Sequence, residues 1–237
     1  MLVAAAVCPC PPLLVPEVAA GAAPELDAAR AACSDALGVL AAARPDLLVV
    51  VGAAEPGGQG PFPQGTPGTF RGFGVGVDVR LGSATGAVTE RELPAPLAVG
   101  AWLLERTGWA DAPIEGLGVA GTLEPERCAE TGRELAARAG RVALLVMGDA
   151  SNCRSLKAPG YLDERAAPFD AEVARALGTA DVAALRALDP ALAHELHASG
   201  RAPWQILAGA AHDTRLTGTL LYEDAPYGVG YLVAAWS

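Results

Sequence analysis

Four segments of strand length are apolar at nearly every position: Leu2–Val7, Leu47–Gly52, Gly116–Ala120 and Val142–Met147. Alanine-rich stretches of helical length follow the first and precede most of the others. A strand covered on both faces is apolar throughout, whereas a strand on a half-solvated sheet alternates. The runs therefore predict an α/β fold with a mixed, largely parallel sheet and helices on both faces. Gly74–Leu81 alternates more. Thr217–Glu223 and Gly228–Trp236 flank "DAPYG", a turn sequence that predicts a C-terminal antiparallel hairpin. These three segments are expected to make one sheet edge.

Helices are predicted over 24–43, 94–107, 125–139, 169–178, 181–198 and 202–210, with Asp170 and Asp181 as first-turn or cap residues. Residues 53–73, rich in glycine and proline and without a period, read as a long loop after the second strand, the kind that is functional or disordered. With no internal repeat and no linker, residues 1–237 read as a single domain.

Composition narrows the partners. Of 237 residues, 51% are hydrophobic, ample for a core, although much of that share is alanine, which favours helix and supplies little buried area. There are 27 acidic and 17 basic residues, a formal charge of -10, and no Lys/Arg cluster. Such a chain repels nucleic acid and anionic lipid, so neither is expected as a partner. No window offers about 18 continuous apolar residues, which argues against a membrane span. Prolines interrupt the N-terminal apolar run, and no basic residue precedes it, so a secretion signal fits poorly. Five cysteines, an odd number without the spacing of a disulfide framework, read as reduced thiols in a cytoplasmic protein.

Few motifs carry chemistry by themselves. "GFGVGV" at 72–77 is half a dinucleotide fingerprint, but a strand follows it where a helix is needed. "HELH", His194–His197, holds a metal only if a third ligand converges, and its polar neighbours suggest a solvated face. Cys8 and Cys10 leave the end of an apolar strand at a spacing that turns both thiols to one side. Structural packing is the default for Cys8; Cys10, between Pro9 and Pro11, is the better candidate for a cleft. Clefts in open α/β sheets form beyond the carboxyl ends of strands. Another such end is "VMGDASNCRS", where Asp149, Ser151, Asn152 and Cys153 follow Met147.

Together these segments resemble the class III extradiol ring-cleaving dioxygenases, in particular the B-subunit-like (LigB-like) group of the protocatechuate 4,5-dioxygenase type. "PCPPLLVPE" is similar to that family's first strand exit, a Pro-His-Pro followed by apolar residues. "DLLVVVG" resembles its second strand. "GDASNCRS" followed by "PFD" at 168–170 resembles its Ser-His segment and the Phe-Asp opening the next helix. "WQILAGA" at 204–210 followed by "PYGVGYLVAAW" resembles its last helix and strand. The resemblance spans nearly the whole chain.

The family binds non-haem Fe(II) through two histidines and a glutamate, with a further histidine as acid/base. In this chain the first histidine is replaced by Cys10, and Ala53–Glu55 contains no histidine. The glutamate position falls on Gly200, which leaves space there, and the acid/base histidine is Asn152, an amide that cannot shuttle protons near neutral pH. The resemblance thus implies the scaffold without its standard iron site, hence no cofactor, and a cleft for a small aromatic or other small organic ligand. An iron dioxygenase with Cys10, Glu55, His212 or Glu223 recruited around Fe(II) is the alternative. A non-catalytic subunit or interaction protein is a third, and a homo-oligomer is compatible with all three.

Overall fold

The computed structural model describes residues 1–83 and 91–237. In chain order it contains β1 (Leu2–Cys8), α1 (Pro16–Ala19), α2 (Asp27–Ala42), β2 (Leu47–Ala53), β3 (Gly60–Phe62), β4 (Pro67–Thr69), β5 (Asp78–Arg80), α3 (Ala95–Thr107), β6 (Ile114–Val119) and α4 (Pro125–Ala136). The second half continues with β7 (Val142–Met147), α5 (Ala166–Gly178), α6 (Val182–Arg186), α7 (Pro190–Glu195), α8 (Arg201–Ala210), β8 (Gly218–Asp224) and β9 (Tyr231–Trp236).

Seven strands form the main sheet in the order β3-β6-β2-β7-β1-β9-β8. β6, β2, β7 and β1 are parallel, whereas β3 and β9 run antiparallel to their neighbours and β8–β9 is an antiparallel hairpin. The runs that are apolar at every position are the central strands: β7 is buried at all six positions and β9 likewise. Side chains on one face pack with α2 and α3; those on the other pack with α4, α5 and α8. β8, on the outer edge, alternates between half-buried and exposed positions up to Glu223.

Several expectations need correction. Gly74–Leu81 does not join the hairpin edge: only Asp78–Arg80 is a strand, and it pairs with β4 in a separate two-stranded sheet. Residues 53–73 are not a featureless loop. They carry β3, β4 and two short 3-10 turns, with the Phe70 and Leu81 side chains buried beneath them. The helix expected over 181–198 is two helices, because Pro190 has no amide hydrogen to continue the first, and Asp189 caps the second by accepting from the amides of Ala191 and Leu192. Asp181 caps α6 through Ala184. Asp170 is no cap: α5 begins four residues earlier and its carboxylate is buried. Among the described residues, no helix is long and apolar enough to cross a membrane.

Candidate functional site

Strand register decides which groups meet at the carboxyl edge. Cys8 lies opposite Met147 in the parallel β1–β7 pair, so Cys10 falls level with Asp149. Val7 lies opposite Ala234 in the antiparallel β1–β9 pair, and extending that register by three residues brings Tyr231 level with Cys10. Side-chain parity turns Cys8, Cys10, Met147 and Tyr231 to the α2–α3 face.

Asp149 is the hub. Its Oδ1 accepts from the Cys10 amide at 2.8 Å, its own amide donates to Ser199 Oγ at 3.0 Å, and its carbonyl accepts from the Gly200 amide at 2.9 Å. Pro9 and Pro11 flank the amide of Cys10 and limit how the chain can leave β1, which presents that donor to the carboxylate. The Gly148 amide donates to the Cys8 carbonyl at 3.0 Å and closes the strand ends together.

The electrostatics follow from this packing. Burial pushes the Asp149 carboxyl up to about 6, against a partial lowering by the donors of Cys10. Burial and then the Asp149 charge hold the Cys10 thiol well above the usual range. The Tyr231 phenol is raised by the same two causes in the same order. Asp149 is only partly exposed, and it titrates where proton exchange near neutrality is effective. Cys10 is 6% exposed and, among the described residues, no cation adjoins it to make it a thiolate.

The remaining candidates separate. Ser151 is fully buried and spent on structure: its amide and hydroxyl donate to Asp170 Oδ1 and Oδ2, both at 2.8 Å, and Arg154 donates to Oδ2 at 2.9 Å. Asn152 turns its Oδ1 to the Cys153 thiol at 3.3 Å and packs it against Gly160, while Cys153 is buried. Cys8 is buried beside Cys33 of α2. Glu55, just past β2, is exposed. Glu223 is exposed on β8 opposite Leu232, whose side chain belongs to the other face of the sheet from Tyr231. His212 is exposed beyond the far end of α8, about 15 Å of helix from Gly200.

Gly200 does adjoin Asp149, but it leaves no empty space. A Cβ there would overlap the Trp204 indole, and one at Gly148 would overlap the Gly200 backbone. The Trp204 Nε1–H is buried without a hydrogen-bond partner among the described residues. Two surface hollows lie elsewhere: one of about 370 Å³ between the first turn of α4 and α6, and one of about 460 Å³ beside β3 and the opening residue of β6.

The residues do not fit the Fe(II) of the resembled family. Among the described residues, no group of three or more His, Cys, Asp or Glu side chains gathers so as to hold a metal ion. His194 and His197 of "HELH" are both exposed. Sequence reasoning missed Ser199 and Tyr231. The register of the final strand against the first carried the signal for Tyr231; nothing in the sequence marked Ser199 beyond its place beside Gly200.

No family model matches the chain, and no curated protein matches it. Among solved structures, the crystal structure of the uncharacterized protein JW3007 from Escherichia coli K12 is similar, at 15% identity over 99% of each chain with a TM-score of 0.52. At that identity the similarity is one of fold.

Proposed function

We propose that the protein is a member of the extradiol-dioxygenase fold whose carboxyl-edge site handles a small organic molecule without the iron centre of ring cleavage. The observation that supports this most is Asp149 itself: a partly buried carboxyl, held by the Cys10 amide, titrating at about 6 at the strand ends where the resemblance puts metal ligands. Such a group exchanges a proton with a bound molecule at neutral pH. Cys10 contributes its amide to orient the carboxylate, Ser199 fixes the backbone of Asp149, and Tyr231 closes the α2–α3 side. Five unpaired cysteines suit a reducing compartment such as the cytoplasm.

The test is direct. Protein purified without a chelating tag is loaded with Fe(II) under anaerobic conditions, its metal content is measured, and it is then offered protocatechuate and substituted catechols in air. No yellow ring-opened product beyond the level of free iron is expected. Multiple turnovers proportional to protein would overturn the reading and favour the iron dioxygenase with recruited ligands.

A further inference from the structure

We propose that the outer edge of β8 is a self-pairing surface, along which two copies of the chain join antiparallel about a two-fold axis at Thr219. The two edges of the main sheet are built differently. β3 ends one of them with only three residues, and Pro61 within it and Pro63 just after it deprive that edge of amide donors. β8 ends the other with seven, GTLLYED, which include neither proline nor lysine, the residues that commonly guard an edge. Leu220 lies against Gly178 of α5 on one face, and Tyr222 packs with the core on the other. The strand is thus held on both faces, while no strand lies along its outer edge among the described residues.

The hydrogen-bond pattern selects a register. Thr217 exchanges both main-chain bonds with Ser237, at 3.0 and 3.1 Å. Bonded residues alternate along an antiparallel strand, so Thr219 also faces β9, and the amides and carbonyls of Gly218 and Leu220 turn outward. Centring a second copy on Thr219 sets Gly218 opposite Leu220 of that copy, and Leu220 opposite its Gly218, which pairs all the outward groups. The two Thr219 side chains then meet as a close β-branched pair. The same register sets Arg215 across from Glu223 of the second copy, and the bulge at Leu221 shifts Glu223 by one position, within reach of an arginine. Both side chains are exposed, and neither forms an ion pair among the described residues. The symmetry makes this complementary contact twice. It offsets the repulsion between two chains of charge -10, which salt screens beyond about 8 Å at physiological strength.

A contact of this length is smaller than a standard interface, so the dimer should be weak, with a dissociation constant on the order of tens of micromolar. Sedimentation velocity of the full chain tests it, at concentrations from about 2 to about 200 µM in about 0.15 M salt. The mass is expected to rise with concentration from 23.9 kDa towards twice that value. Thr219→Lys sets two like charges together at the axis and should weaken association about tenfold or more. Arg215→Glu and Glu223→Arg should each weaken it about fivefold, and the double exchange should recover most of the loss. All three side chains are exposed, so melting temperatures should stay level and separate loss of the dimer from loss of the fold. A monomer at every concentration would overturn the self-pairing, whether the edge then stays bare or takes an extended segment of another protein. A dimer untouched by Thr219→Lys would place the contact elsewhere and overturn it equally, and a double exchange no better than either single one would overturn the register.

Discussion

Replacing Asp149 by asparagine removes a charge that the folded chain holds under strain, and the effect should depend on pH in a definite direction. Its carboxyl titrates at about 6 in the folded protein against 3.8 for an unperturbed aspartate. Below about pH 3.8 the group is protonated in folded and unfolded chains alike, and well above 6 it is ionised in both. Between these limits the folded chain keeps a proton that the unfolded chain has released, so raising the pH weakens the native state. The full shift corresponds to about 3 kcal/mol. Because the carboxyl is partly exposed, solvent screening reduces this, and about 2 kcal/mol is the expected loss across the window. Asparagine keeps an oxygen for the Cys10 amide and carries no charge. Urea unfolding of wild type and Asp149→Asn, followed by circular dichroism from pH 4 to pH 7.5, measures the difference directly. Asp170, also raised by burial, and Asp163, Glu172 and Asp181, which are lowered by their arginine or amide donors, contribute equally to both proteins and cancel. The two should be about equally stable at pH 4, and the variant about 2 kcal/mol more stable at pH 7.5. A stability difference that stays constant over this range, or a variant weakened at pH 7.5, would refute the burial-raised carboxyl assigned to Asp149.

Gly200→Ala should lower stability by about 1–3 kcal/mol in thermal melts, because its Cβ overlaps the Trp204 ring, and should cost less when introduced into a Trp204→Leu background, itself destabilised by the cavity it leaves. Non-additivity of the two substitutions is the critical result; simple addition would mean the glycine acts otherwise. Asp170→Asn should cost about 2 kcal/mol, since the Ser151 hydroxyl and Arg154 lose a charged acceptor, and unchanged melting would contradict the role given to that network. All five thiols should alkylate slowly at pH 7.5, with Cys10, at 6% exposure, ahead of the fully buried Cys33 and Cys128. Peptide mapping that finds Cys33 or Cys128 labelled first would place Cys10 deeper than described.

The sheet was legible because burial on both faces leaves a plain mark. β1, β2 and β7 are unbroken apolar runs, and the "DAPYG" turn announced the hairpin. Residues 53–73 were not, because strands of three residues such as β3 and β4 carry no period; tertiary contact with β6 and β5 makes them strands. Asp149 stood out as a residue following a strand end, but what it does depends on Cys10, 139 positions away, and on its burial at the folded strand edge. His212 could have been set aside from the sequence, since a helix beginning near Gly200 carries position 212 to its far end. The fate of Gly200 could not, because it turns on the rotamer of an indole four residues along the helix.

The tight approach of Gly148, Gly200 and Trp204 has a consequence for how this chain can change. The obstacle at position 200 is a side chain, so a smaller residue at 204 would clear it; the obstacle at position 148 is the backbone of residue 200, which no neighbouring substitution removes. Mutational routes through this corner are therefore ordered. Any functional group newly placed at 200 has to follow a change at 204, while position 148 stays closed in either order, so a search of single substitutions for new chemistry at this edge would find position 200 barren although a pair would open it.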